Sequence, residues 1–287
     1  MVYNVSSKDF SNPLLKTLLV KLTDFFNSKG LKFYVIGAAA RDIMMRQILN
    51  CKPTRMTTDL DIAISIPDWG VYDEISEGLM SIGFEKSRME TQKFYFGDYE
   101  LDIVPFGEVA KDKDNIYWPP DETFMMSVKG FNEILDDMVR VNVDEEFDIY
   151  ITSLKGLFLL KWYAWLDRNN TKTKDAEDMC LILQEYFNIH AKEYAVKGYH
   201  DEVFEEEDFD IFSAGATWLA YDLLLLLDKK RANELAEELT RVLASAEESR
   251  LFEHMTIQNR SLKYEIFQKA ITSMRDVFTA YAKEETK

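Results

Sequence analysis

Apolar positions along this chain follow two rhythms. Leu15, Leu18, Leu19, Leu22, Phe25 and Phe26 recur at helical spacing. Asn12 can cap that helix, Pro13 suits its first turn, and Gly30 can stop it. The pattern then predicts a short buried strand over 31–36 ended by Gly37, a helix over 38–48, a second strand over 58–66, and a helix over 71–82 stopped by Gly83. Residues 94–96 and 99–104 read as paired strands across the turn Gly97-Asp98, and 139–143 and 147–151 as another hairpin. The run Ile116-Tyr117-Trp118-Pro119-Pro120, within 115–121, predicts a loop or edge element, because proline cannot donate to a ladder.

Past Ser153 the character changes, and no strand pattern stands out. Segments 154–166, 174–187, 211–227, 231–245 and 262–281 read as helices. The acidic stretch 201–210 reads as a solvated loop, since its carboxylates have no fixed geometry that sequence alone supplies. Met44, Met45, Met125 and Met126 read as core filler. The expected fold class is α+β, a mixed sheet with flanking helices over 1–150 followed by an all-helical domain over 151–287.

Composition narrows the function classes. Hydrophobic residues make up 47% of the 287 residues and charged residues 30%, which fits a globular chain rather than a disordered one. The net charge of −17 disfavours non-specific nucleic-acid binding, which depends on Lys and Arg neutralising phosphates. The three histidines and the distant Cys51 and Cys180 give no zinc spacing and no disulfide framework. A reducing, cytoplasmic setting is the expectation. The polar first ten residues lack a signal-peptide core, and the greasiest run, 218–227, is broken by Asp222 and too short to span a bilayer, so no membrane partner is expected.

The informative segment is Thr58-Asp59-Leu60-Asp61-Ile62-Ala63-Ile64-Ser65-Ile66. Side chains alternate along a strand, so Asp59 and Asp61 share the face opposite Leu60, Ile62, Ile64 and Ile66, about 7 Å apart. Alone, such a pair is better explained as two solvent-facing aspartates on a half-buried strand. Asp102, in Glu100-Leu101-Asp102-Ile103-Val104, lies on the polar face of another predicted strand. If the two strands are neighbours, three carboxylates meet, and Mg²⁺ takes oxygen ligands of this kind together with substrate phosphates. Upstream, Gly37-Ala38-Ala39-Ala40-Arg41 is a small-residue turn into a helix, where backbone N–H groups can approach phosphate. Such a turn also serves tight packing alone. Neither a P-loop nor a Rossmann fingerprint is present.

In this order, Gly37-helix, Asp59-x-Asp61 and then Asp102, the chain resembles the nucleotidyltransferase superfamily of the polymerase-beta-like fold. Further segments are similar to AbiEii/AbiGii toxin-type nucleotidyltransferases: Arg55 to Asp61, Leu101 to Gly107, Trp118 to Asp121, Leu159 to Arg168 and Lys174 to Asp178. The matching segments run from about Tyr34 to Tyr186. The resemblance implies that Asp59 and Asp61 bind metal and triphosphate, and that Asp102 holds the catalytic metal near the acceptor hydroxyl. It also implies nucleotide contacts from Gly37, Ala38, Arg41, Thr57 and Lys161, with Asp175 a motif residue near Lys161. The implied cofactor is Mg²⁺, and the implied partners are a nucleoside triphosphate, an acceptor (RNA or tRNA, a protein or a small molecule) and an antitoxin protein. Ala38 departs from the Gly-Ser or Gly-Gly usual at this turn and removes a hydroxyl that could meet phosphate. For Arg41 a structural salt bridge is an equal reading, and Lys161 without the resemblance is a snorkelling edge residue.

Two function classes follow. One is an enzyme that transfers a nucleoside monophosphate from an NTP to a hydroxyl. The other is a catalytically degenerate nucleotide- or partner-binding module on the same fold. The retention of all three aspartates separates them in favour of the enzyme.

Overall fold

The computed structural model describes residues 2–51, 59–205, 208–245, 248–257 and 262–284. The chain forms two compact units, 1–160 and 161–287, each with its own core. The division falls inside one helix. Among the described residues the fold is α+β, with every strand in the first unit.

In chain order the first unit contains β1 (Val2–Val5), α1 (Leu14–Ser28), β2 (Tyr34–Ile36), α2 (Gly37–Asp42, continuing into wider π-type turns over Ile43–Ile48) and β3 (Asp59–Ser65). There follow α3 (Trp69–Ser81), β4 (Glu85–Lys86), β5 (Lys93–Phe96), β6 (Tyr99–Phe106), β7 (Asn115–Tyr117), β8 (Met125–Ser127), β9 (Val139–Val143), β10 (Phe147–Ile151) and the start of α4 (Leu154–Arg168). One mixed sheet runs β1-β9-β10-β2-β3-β6-β5-β4, and β7 pairs with β8 separately.

The helices form where the sequence supplies both ends and an apolar stripe. In α1, Leu15, Leu18, Leu19, Leu22 and Phe26 are all buried. Asp68 caps α3 by accepting from the Val71 N–H at 3.2 Å. The two helices approach closely at Gly78, where a Cβ would stand 2.5 Å from the Phe25 ring. The sheet buries Leu60, Ile62, Ile64, Leu101 and Ile103 almost completely, so the alternation that defines the apolar face also fixes the register.

Local detail is added or changed at three places. Residues 2–5 form an edge strand parallel to β9, with Val2↔Arg140 through Val5↔Val143 in register. Residues 115–117 form an edge strand, one of the two readings of that run, and pair with β8 on the far side of the two prolines. Met125 is 47% exposed on β8 and is not core filler, whereas Met44 and Met45 are buried.

The second unit holds the rest of α4, then α5 (Lys174–Lys197), α6 (Ile211–Leu224), α7 (Lys229–Ala244), α8 (Arg250–Thr256) and α9 (Tyr264–Lys283). α6 packs against α5 and α9, and α9 packs against α7. α8 was not visible in the apolar period, because seven residues give barely two turns. Two buried polar centres lie in this unit. Asp222 accepts hydrogen bonds from the hydroxyls of Tyr186 and Tyr194 at 2.5 Å and Tyr199 at 3.0 Å. The Lys161 ammonium stands 3.0 Å from Asp175 and 2.9 Å from Asp178, and Arg168 grips Asp175 with two donors at 2.7 and 2.8 Å. No helix among the described residues is long and apolar enough to cross a membrane.

Candidate active site

β3 and β6 run side by side and parallel, with Asp59↔Glu100, Leu60↔Leu101 and Asp61↔Asp102 as register partners. Partners in a ladder project to the same face, and neighbouring strands lie about 4.8 Å apart. Asp59, Asp61, Glu100 and Asp102 therefore share one face at the start of both strands, while Leu60 and Leu101 point into the core. Beyond Asp61 that face closes, since Ala63 is fully buried. The carboxylates are thus confined to one end of the strand pair.

On the other side of β3 lies β2, antiparallel, with Ile36↔Asp61. The chain then turns directly into α2 through Gly37, whose φ of +64° is a conformation that favours glycine. A Cβ at this position would stand 2.2 Å from Oδ2 and 2.9 Å from Cγ of Asp61. Gly37 is therefore required twice, by its backbone conformation and by the Asp61 carboxylate lying against it. That carboxylate sits at the first residue of a helix, where exposed N–H groups favour negative charge. Ala38 is buried behind it. Arg41 is only 2% exposed, and its Nε and Nη2 donate to Asp42 Oδ1 at 2.9 and 2.5 Å, the ion pair that the sequence held open against a phosphate contact.

Asp102 has a different environment. Its Oδ1 is buried and accepts no hydrogen bond. Burial pushes its carboxyl up to about 6; the Lys93 ammonium opposes the shift, and the negative charges of Glu90, Glu100 and Asp59 add to it. Tyr99 presents a second orphan, a buried hydroxyl without a partner. Burial raises the Tyr99 hydroxyl well above its ordinary value, and Asp59, Asp42 and Asp61 push it further. Removing a buried hydroxyl that has no partner should cost nothing. Tyr99→Phe is expected to raise the unfolding free energy by about 1 kcal/mol. Chemical denaturation checks it, and a loss of that size would mean the hydroxyl is partnered in solution.

The sequence reading brings Gly37, Ala38, Asp59, Asp61 and Asp102 to one end of the sheet, and the structure places all five there. Thr57 lies outside the described residues, as do Arg55, Met56 and Thr58 of the same segment. Lys161 belongs to the second unit, where it holds Asp175 and Asp178. Among the described residues, no three His, Cys, Asp or Glu side chains already stand close enough to enclose a metal ion.

Sequence reasoning missed Lys93. It is the register partner of Asp102 on β5, with Nζ 2.8 Å from Glu100 and 3.4 Å from Glu90. The signal was available. A two-residue turn at Gly97-Asp98 pairs Phe96 with Tyr99, and counting back three residues on each strand reaches Lys93 and Asp102.

No family model matches this chain, and no curated protein matches it. Several solved structures are similar. One is the antibiotic-resistance factor ANT(2'')-Ia, at 15% identity over 65% of this chain and 96% of that one, with a TM-score of 0.36. Another is an antigenic nucleotidyltransferase-like protein from Paracoccidioides brasiliensis, at 12% identity over 71% and 94%, with a TM-score of 0.40. A third is the cyclic dinucleotide synthase CdnE of Elizabethkingia meningoseptica, at 9% identity over 96% and 94%, with a TM-score of 0.28. At identities and TM-scores this low the likeness carries no functional argument, which rests on this chain's own residues.

Proposed function

We propose that this chain is a magnesium-dependent nucleotidyltransferase that moves a nucleoside monophosphate from an NTP to an acceptor hydroxyl. The observation that carries the reading is the parallel register of β3 and β6, which sets Asp61 beside Asp102 on one face with Asp59. A sheet with only solvation to serve would have no reason to gather these aspartates where Asp102 is half-buried with an orphan oxygen.

The donor set fits a hard cation. All the groups are carboxylate oxygens, one of them unpartnered, and Mg²⁺ binds through one or two carboxylates with substrate phosphates completing its shell. Asp59, Asp61 and Asp102 would hold it; once bound with nucleotide, it would neutralise triphosphate oxygens and favour displacement at phosphorus. The remaining roles belong to the chain. Gly37 lets the Asp61 carboxylate seat against the start of α2, which fixes its direction. Asp102, whose carboxyl burial pushes up to about 6, would serve as the base toward an acceptor hydroxyl. The acceptor class, RNA or tRNA, a protein or a small molecule, stays with the finer likeness to AbiEii/AbiGii toxin-type enzymes, as does an antitoxin partner.

The second reading, a degenerate binding module, draws on one observation: among the described residues the carboxylates are not gathered as a ready-made metal cage. Thermal unfolding in the presence of each NTP separates the two. The transferase reading expects one or more NTPs to raise Tm by about 5 °C at a hundredfold excess over Kd, in magnesium and not in EDTA. An equal rise in EDTA favours a nucleotide-binding module, and no rise with any NTP contradicts the transferase and leaves only a partner-binding module.

A further inference from the structure

The acidic face carries a cation of its own. Lys93 is 14% exposed, and its ammonium is held by Glu100 at 2.8 Å and Glu90 at 3.4 Å. Its strand position faces Asp102, and Asp59 and Asp61 lie one strand further along the same face. Lys93 is thus bound by Glu90 and Glu100 and set beside Asp102, on a face that also carries Asp59 and Asp61. Without a counter-charge these carboxylates would repel each other and resist assembly. The short β5–β6 hairpin delivers that charge by register alone.

We infer that Lys93 is a positioning residue which makes the carboxylate face selective for a cation already bound to a nucleotide's phosphates over the free cation. This rests on the transferase reading of the same face. A fixed ammonium repels an incoming divalent ion, so it weakens capture of free metal. A metal–triphosphate complex is net negative, and the same ammonium attracts it. Lys93 therefore acts in opposite directions on the two forms of the same ion. The ion pair with Glu100 sets how far the ammonium reaches toward Asp102, so loosening that pair should strengthen both effects.

Manganese chloride is the probe, with uptake read from the loss of the free-ion electron paramagnetic resonance signal, with and without NTP. Lys93→Gln should bind free Mn²⁺ roughly tenfold tighter than wild type and bind Mn²⁺–NTP several-fold more weakly. Lys93→Arg should behave as wild type. Lys93→Met, which keeps the aliphatic stem and removes the charge, should repeat the Lys93→Gln pattern and answers the question if that variant fails to fold. A purely structural lysine would leave both affinities unchanged or shift them in the same direction, and either result overturns the inference while leaving the transferase reading intact. A wild-type protein that takes up no Mn²⁺ with or without NTP overturns both.

Discussion

Asp102→Asn is expected to keep most nucleotide binding and lose roughly a thousandfold in transfer, the several kcal/mol that a correctly held metal and base contribute to a transition state. The split follows from position. Asp61 lies against Gly37 at the head of α2, the phosphate side of the proposal, whereas Asp102 lies one strand away beside Lys93. Steady-state transfer alongside NTP affinity checks it; equal losses in both would place Asp102 on the triphosphate instead. The same substitution has a signature without metal or nucleotide. Burial raises the Asp102 carboxyl from 3.8 to about 6, so the folded protein holds that proton more tightly than the unfolded chain. Stability from this group is therefore full below the unfolded value and lost as pH rises toward 6. Wild-type Tm should fall relative to Asp102→Asn across that window and run parallel above pH 7. Parallel curves throughout would mean that Asp102 is solvated.

Lys161→Met should destabilise the second unit by about 3–5 kcal/mol. The ammonium is shared by Asp175 and Asp178, both nearly inaccessible, and its removal leaves two buried carboxylates short of positive charge. Burial by itself would lower the Lys161 ammonium; Asp178 and Asp175 outweigh it, so the group stays charged. Arg168 continues to hold Asp175, and Asp178→Leu in the same chain should recover part of the loss. Denaturant titration measures this. If Lys161→Met instead leaves stability intact and abolishes NTP binding, the lysine serves the nucleotide, as the family resemblance implied.

How much of this was legible follows from which interactions are local. The hairpin over β9 and β10 alternates except at Tyr150, and its strands emerge at the residues the pattern names. The shared parity of Asp59, Asp61 and Asp102 was also readable, because a two-residue period leaves each side chain only two faces. Parallel pairing of β3 with β6 was not derivable from the residues, since about forty residues separate partners whose ladder has no turn to fix it. β1 was hidden for the same reason: Val2–Val5 is short, half polar, and meets a strand well over a hundred residues away. The collision of a Gly37 Cβ with Asp61 is likewise a long-range fact that no local period records. Lys93 is the opposite case, a residue that hairpin arithmetic could have reached.

The Asp59–Asp61–Asp102 face is proposed to bind a nucleotide through a divalent cation. Calorimetric titration of the NTP that gives the largest thermal shift, with magnesium and with EDTA, on wild type and Asp61→Asn, tests it most directly. Asparagine keeps the shape of Asp61 and its seat against Gly37 but removes the charge. Wild type should bind saturably in magnesium and at least tenfold more weakly in EDTA, and Asp61→Asn should show the weak value under both conditions. Equal affinity in wild type and Asp61→Asn, with magnesium making no difference, would contradict it.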